Sequence, residues 1–151
     1  MPARTGASLH ALLNTMRAHG LRVSTARRRV LTALLAAELP LSAEQIAAGS
    51  DVASVYRNLE TLESIGLVQH VHPGHGPGRY TLGGHGGWAS CQACGAAMRL
   101  APAAHARIRA AVREACGFDA RFDHFPVVGL CPGCSPEPQE GTPSWPEPVA
   151  S

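Results

Sequence analysis

The chain has 151 residues, 45% of them hydrophobic and 5% aromatic, enough for one moderate domain or two small ones. No apolar run approaches a membrane span and the N-terminus lacks an apolar secretory segment, which predicts a cytoplasmic protein with no membrane partner. The net charge of +2 is uneven: residues 1–82 hold eight Arg against five acids, or +3, and residues 83–151 hold five Arg against six acids, or −1. All thirteen basic residues are Arg, which suits bidentate contacts to phosphate and guanine, although GC-rich coding gives the same bias.

In chain order, residues 8–19 carry Leu9, Leu12, Leu13 and Met16 at helical spacing, with Ser8 as N-cap and Gly20 as stop. A second helix starts at Ser24-Thr25 and places Val30, Leu31, Leu34 and Leu35 on one face, with Arg27, Arg28 and Arg29 near its start. A short third helix opens on Ser42, with Gln45 three residues later as a capping box, and ends near Gly49. Asp51 opens a fourth. There Val55, Leu59 and Leu62 mark the core face, while Ser54, Arg57, Asn58 and Thr61 repeat on another side.

A short helix, a tight turn and a longer helix with a polar, basic face predict a helix-turn-helix. Residues 66–71 and 78–82, joined by a Pro/Gly loop, predict the hairpin of a wing. Short polar and Arg side chains on a rigid helix are what base edges and phosphates require. The candidate DNA-binding residues are therefore Ser54, Tyr56, Arg57 and Asn58, with Arg22 ahead of the second helix. An ordinary solvated helix face is the competing reading.

Composition shifts at residues 83–87, a predicted hinge. Two Cys-x-x-Cys pairs follow, Cys91/Cys94 and Cys131/Cys134, separated by thirty-six residues. Four soft thiolates from two short turns suit a structural, tetrahedral Zn2+ site. Between the pairs the pattern predicts a strand, a helix over 103–115 and a further strand. Cys116, at the end of that helix, is expected to be a buried, inert thiol. Residues 135–151, with five Pro and three Glu, are expected to be disordered. The predicted fold class is α+β: a winged helix-turn-helix domain (1–82), then a small α/β domain (88–134) built around the four-cysteine site.

Several runs carry a family resemblance: Leu21-Arg-Val-Ser-x-Ala-Arg27, Leu41-Ser-Ala-Glu44, Ala53-Ser-Val-Tyr-Arg-Asn-Leu-Glu60, Gly66-Leu-Val68, Cys91-x-x-Cys-Gly95 and Gly129-Leu-Cys-Pro-x-Cys134. In this order the chain resembles the ferric uptake regulator family from about residue 8 to 134, and most resembles its zinc uptake regulators. The resemblance implies a homodimeric, metal-responsive repressor of metal-uptake genes. It makes residues 88–134 the dimerisation domain, puts a regulatory metal at the hinge, and has Tyr56 and Arg57 approach DNA. A dimer with two recognition helices implies a pseudo-palindromic double-stranded operator.

The resemblance also marks a departure. A His-rich run before the first knuckle is reduced here to His85, and Pro40 stands near the place of another familiar histidine. By resemblance, the regulatory ligands are then His70 or His72 from the wing together with His85, or a cluster of His85, His105 and His124; His75 is a further wing candidate. His70 and His72, two residues apart, are expected to share a strand face. His10 and His19 are expected to be solvated. An exchangeable site of mainly imidazole points to a second Zn2+. The alternatives are an iron/manganese- or peroxide-responsive regulator, for which Glu114, Asp119 and Asp123 are available carboxylates, and a thiol-redox switch on the four cysteines. No enzyme is expected: four cysteines saturate a zinc ion, and no His-x-Glu or His-Glu-x-x-His run supplies a base.

Overall fold

The computed structural model describes residues 7–72, 76–84, 86–122, 125–137, 141 and 145. The expectations for His75, His85, Asp123 and His124 lie outside these residues. The chain divides into two compact units, the first formed by residues up to His70 with Arg79–Gly84, the second by Val71–Gly78 and the residues from 85 on.

The first unit is built from α1 (Leu9–Ala18), α2 (Thr25–Ala36), α3 (Ala43–Ala47) and α4 (Val52–Ser64), followed by the paired strands β1 (Val68–Val71) and β2 (Arg79–Leu82). Each helix starts where a short polar side chain accepts an otherwise orphaned backbone N–H. Ser8 accepts from Ala11, Ser24 from Arg27, and Asp51 from both Ala53 and Ser54. At α3 the capping box is complete: the Gln45 N–H donates to Ser42 Oγ (3.2 Å) and the Ser42 N–H to Gln45 Oε1 (2.9 Å). The apolar stripes then meet in one core, where Met16, Leu31, Leu59 and Leu62 are fully buried. α3 ends on Ala48 at φ +47 and Gly49 at φ +86, which turn the chain into α4.

An isolated antiparallel bridge joins Leu41, just before the α3 cap, to Tyr80 of β2 (Leu41 N–H to Tyr80 O 2.9 Å, Tyr80 N–H to Leu41 O 2.7 Å). Gly83 lies so close to the Gly66 carbonyl that a Cβ there would collide with it, so the close of the hairpin requires glycine at this position.

The second unit holds β3 (Trp88–Cys91), β4 (Ala97–Arg99), α5 (Pro102–Cys116) and β5 (Val127–Gly129), with sheet order β4-β3-β5. β4 returns antiparallel to β3 through the first knuckle; β5, after the α5 crossover, pairs parallel to β3, Ala89 opposite Val127 and Cys91 opposite Gly129. α5 begins on Pro102, ends on Gly117 at φ +73, and buries none of its residues fully. This corrects the expectation for Cys116, which is exposed, its Sγ 3.3 Å from the Val112 carbonyl oxygen. A helix without a fully buried stripe leaves its terminal thiol in water.

Candidate metal centre and nucleic-acid interface

The register of β3 on β5 sets Cys91 and Gly129 side by side, and so brings the two knuckles together. Each knuckle is closed by backbone bonds: the Gly95 N–H donates to Cys91 O (2.9 Å), and the N–H groups of Cys134 and Ser135 donate to Cys131 O (3.0 and 2.9 Å). The four sulfurs of Cys91, Cys94, Cys131 and Cys134 lie within 4.8 Å of one another. Cys94 Sγ and Cys131 Sγ are 3.8 Å apart. A tetrahedral ion with Zn–S bonds of about 2.3 Å has sulfurs about 3.8 Å apart, so the donor set fits such an ion.

The thiols also differ in acidity. Hydrogen bonds from the backbone of Cys131 and then Cys94 draw the Cys91 thiol down to about 6. The neighbouring thiols of Cys131 and Cys94 push Cys134 up to about 12. One thiolate is thus readily formed, and its neighbours resist a second charge in the same space. A divalent cation offsets that repulsion. Trp145, half-buried, packs against this cluster.

Among the described residues the four cysteines are the single group of three or more His, Cys, Asp or Glu close enough to share an ion. The histidines are placed as follows. His70 stacks flat on Tyr80 (4.8 Å between centroids, 8° between planes). β1 ends at Val71, so the alternation expected to put His70 and His72 on one face stops one residue short; the His72 ring stacks on Phe125 at 5.8 Å. His105 lies over Gly87, where a Cβ would strike its ring, and meets Phe122 edge-on at 5.8 Å. Among the described residues its buried Nε2 has no hydrogen-bond partner, and such a nitrogen is one a ligand would satisfy. His10 and His19 are exposed.

Asp119 is not an open carboxylate. Arg113 (2.8 Å), Arg109 (3.0 Å) and Arg121 (3.4 Å) all reach it, and the hydrogen bonds from Arg113 and Arg109 hold its carboxyl below the usual range. Of the three carboxylates available to an iron-type site, Asp119 is thereby committed elsewhere.

On α4, Val55, Leu59 and Leu62 face the core, and Tyr56 (43% exposed) and Arg57 face outward. Among the described residues Arg57 pairs with the exposed Asp51 carboxylate, at 3.9 Å, a contact worth little in water. Asn58 differs: half-buried, it donates its amide N–H back to the Ser54 carbonyl (2.9 Å). Ser54 and Asn58 line a shallow hollow with Arg29 and Ser50, beside the more prominent Tyr56 and Arg57. Arg22 is exposed, and its carbonyl accepts from Arg27 Nη1 (2.8 Å), which turns the first of the three consecutive arginines back onto the chain. Tyr80 and Arg79 were not singled out by the sequence. Arg79 reaches Gln45 Oε1 (3.3 Å) and the Pro40 carbonyl (3.5 Å), links across thirty-four and thirty-nine residues that no local pattern signals.

The fold and the two sites define a helix-turn-helix protein with four cysteines clustered at metal-binding distance. Residues 24–71 match the model of a helix-turn-helix domain family. The chain is 23% identical over 130 residues to the peroxide-responsive repressor PerR of Staphylococcus saprophyticus, an alignment that covers 81% of this chain and 88% of that one. It is 28% identical to the manganese-containing structure of the ferric uptake regulator of Pseudomonas aeruginosa, with 79% of this chain and 96% of that one covered and a TM-score of 0.58. A zinc uptake regulator solved with zinc and DNA matches at 21% identity, 83% and 91% coverage, and a TM-score of 0.56. The fold is that of the ferric uptake regulator family.

Proposed function

We propose that this protein is a homodimeric, zinc-responsive DNA-binding repressor of metal-uptake genes, acting in the cytoplasm on a pseudo-palindromic double-stranded operator. The observation that carries the reading is one chain holding both a capped, core-anchored helix with exposed Tyr56 and Arg57 and a four-thiol centre of tetrahedral spacing. The likeness to a zinc uptake regulator solved with zinc and DNA supports it. The edge strand β5 leaves Val128 exposed, and Leu130, Phe118 and Phe125, nearby in sequence, are exposed too, apolar side chains that a second copy of the chain would cover in this reading.

In this reading Cys91, Cys94, Cys131 and Cys134 hold a permanent zinc. An exchangeable ion takes imidazoles from among His70, His72, His85, His105 and His124. The unpartnered Nε2 of His105 and the commitment of Asp119 to arginines favour zinc over iron or manganese there. Tyr56 and Arg57 make the principal DNA contacts, with Ser54, Asn58 and Arg22 beside them. Metal and operator then raise each other's affinity by the same factor.

The test is operator binding in buffered zinc, iron, manganese and nickel. Zinc is expected to support binding at the lowest free concentration; a response to iron or manganese alone, or loss of binding on mild peroxide, selects the iron-type, peroxide or thiol-switch alternative instead. Arg57→Ala is expected to weaken operator binding by about 1–3 kcal/mol with little effect on the melting temperature. Unchanged affinity in a gel-shift titration would remove Arg57 from the interface.

A further inference from the structure

Tyr80 lies in the wing, outside the helix-turn-helix, yet its ring is 8% exposed and forms part of the helical core. One face is covered by the parallel ring of His70, centroids 4.8 Å apart. The Tyr56 ring meets it nearly at right angles, 75° between planes and 6.4 Å between centroids. The Tyr80 backbone is bonded in both directions to Leu41, next to the α3 cap. The Tyr56 hydroxyl lies 3.5 Å from Glu44 Oε1 on α3. Burial, with Tyr56, Glu63 and Glu44 adding to it, raises the pKa of the Tyr80 hydroxyl above its ordinary value, so this hydroxyl keeps its proton at neutral pH.

A half-exposed aromatic side chain on a helix ordinarily exchanges rotamers within nanoseconds. Here an edge-to-face contact, itself worth a measurable fraction of the aromatic packing energy, favours one of them. A ring fixed before DNA arrives loses less freedom on binding. We propose that Tyr80 is a positioning residue, which sets the Tyr56 ring for DNA and, through the His70 ring stacked on it, makes the recognition helix sensitive to whatever engages His70. The inference rests on the DNA-binding reading and deepens it: the wing takes part in readout without itself touching a base.

The chain has two tyrosines, so protein labelled with 3-fluorotyrosine gives two 19F resonances, and Tyr80→Leu leaves the one from Tyr56. That line is expected to shift and narrow toward free fluorotyrosine in Tyr80→Leu, and to shift in His70→Ala, both without DNA. Binding is then measured to a duplex that zinc-loaded wild-type protein selects from a randomised pool. Tyr80→Leu and Tyr56→Ala are each expected to lose about fivefold in affinity, the double variant no more than Tyr56→Ala alone, and Tyr80→Phe is expected to restore binding. Should Tyr80→Leu fail to fold, His70→Ala and Tyr56→Ala are combined in its place, and the same non-additivity is expected. A Tyr56 resonance indifferent to both wing substitutions, or losses that simply add, overturns the positioning role while leaving DNA binding intact. A wild-type chain that selects no duplex overturns the DNA-binding reading, and the positioning role with it.

Discussion

Cys131→Ser is expected to unfold the second unit while the first retains its cooperative melt. Apart from Val71, Trp88 and Ala120, the buried apolar residues described in the second unit gather around the sulfurs. α5 buries none of its residues fully, and the hydrophobic cluster around the sulfurs consists of Cys91, Ala96 and Cys131, with Cys94, Cys134 and Trp145 against it. A structural zinc site supplies about 10–16 kcal/mol of folding free energy, more than the whole stability of most domains of this size. A serine hydroxyl is a poor replacement for a thiolate, and the remaining three thiolates leave a tetrahedral zinc one ligand short. Calorimetry should show one transition where the metal-loaded wild type shows two, and a strong chelator should reproduce the effect. A variant that retains protected amides through β3 and α5 would mean the unit folds on packing alone.

Leu59→Ala is expected to destabilise the first unit by about 2–5 kcal/mol, the usual cost of emptying a fully buried leucine site. Leu59 is 0% exposed and lies midway along α4, between Val55 and Leu62 on the same stripe. With a total stability of about 5–15 kcal/mol, such a loss lowers the melting temperature by roughly 10 °C or more. Operator binding should fail at temperatures the wild type tolerates, because the outward residues depend on this inward one to stay aimed. The urea midpoint should fall with its slope unchanged. A loss under about 1 kcal/mol would mean that α4 is not packed on the core as described.

The parts of the fold that were legible in the sequence are those governed by local rules. Ser8, Ser24, Ser42 and Asp51 each cap the helix they were expected to open, and the 3.6-residue stripe of α4 faces inward. The four sulfurs meet as their spacing predicted, because two short turns with paired thiols have few other uses. What was not legible depends on groups far apart in the chain. The stack of His70, Tyr80 and Tyr56 joins two strands and a helix. The cluster of Asp119 with Arg109, Arg113 and Arg121 is closer in sequence, within ten residues, but it forms where the chain folds back past the end of α5, a turn that no periodic pattern signals. The expectation for Cys116 took burial as the default for a free thiol at a helix end, and a single copy of the chain buries none of the residues of α5 fully.

The corner between α3 and α4 is made by two successive residues in the left-handed region, Ala48 at φ +47 and Gly49 at φ +86. Ala48 is the one non-glycine among the described residues to adopt it, at a cost of about 1–2 kcal/mol. Hydrogen bonds on both sides hold it there: the Ala48 N–H donates to Glu44 O (3.0 Å), and the Ser50 N–H and hydroxyl both donate to Ala47 O (2.9 and 2.6 Å). A bend set in narrow backbone wells does not flex as a side-chain interface does. With Ala48 confined and bonded on both sides, the two helices are expected to move as one lever, so that a displacement of either swings the pair with little change in the angle between them.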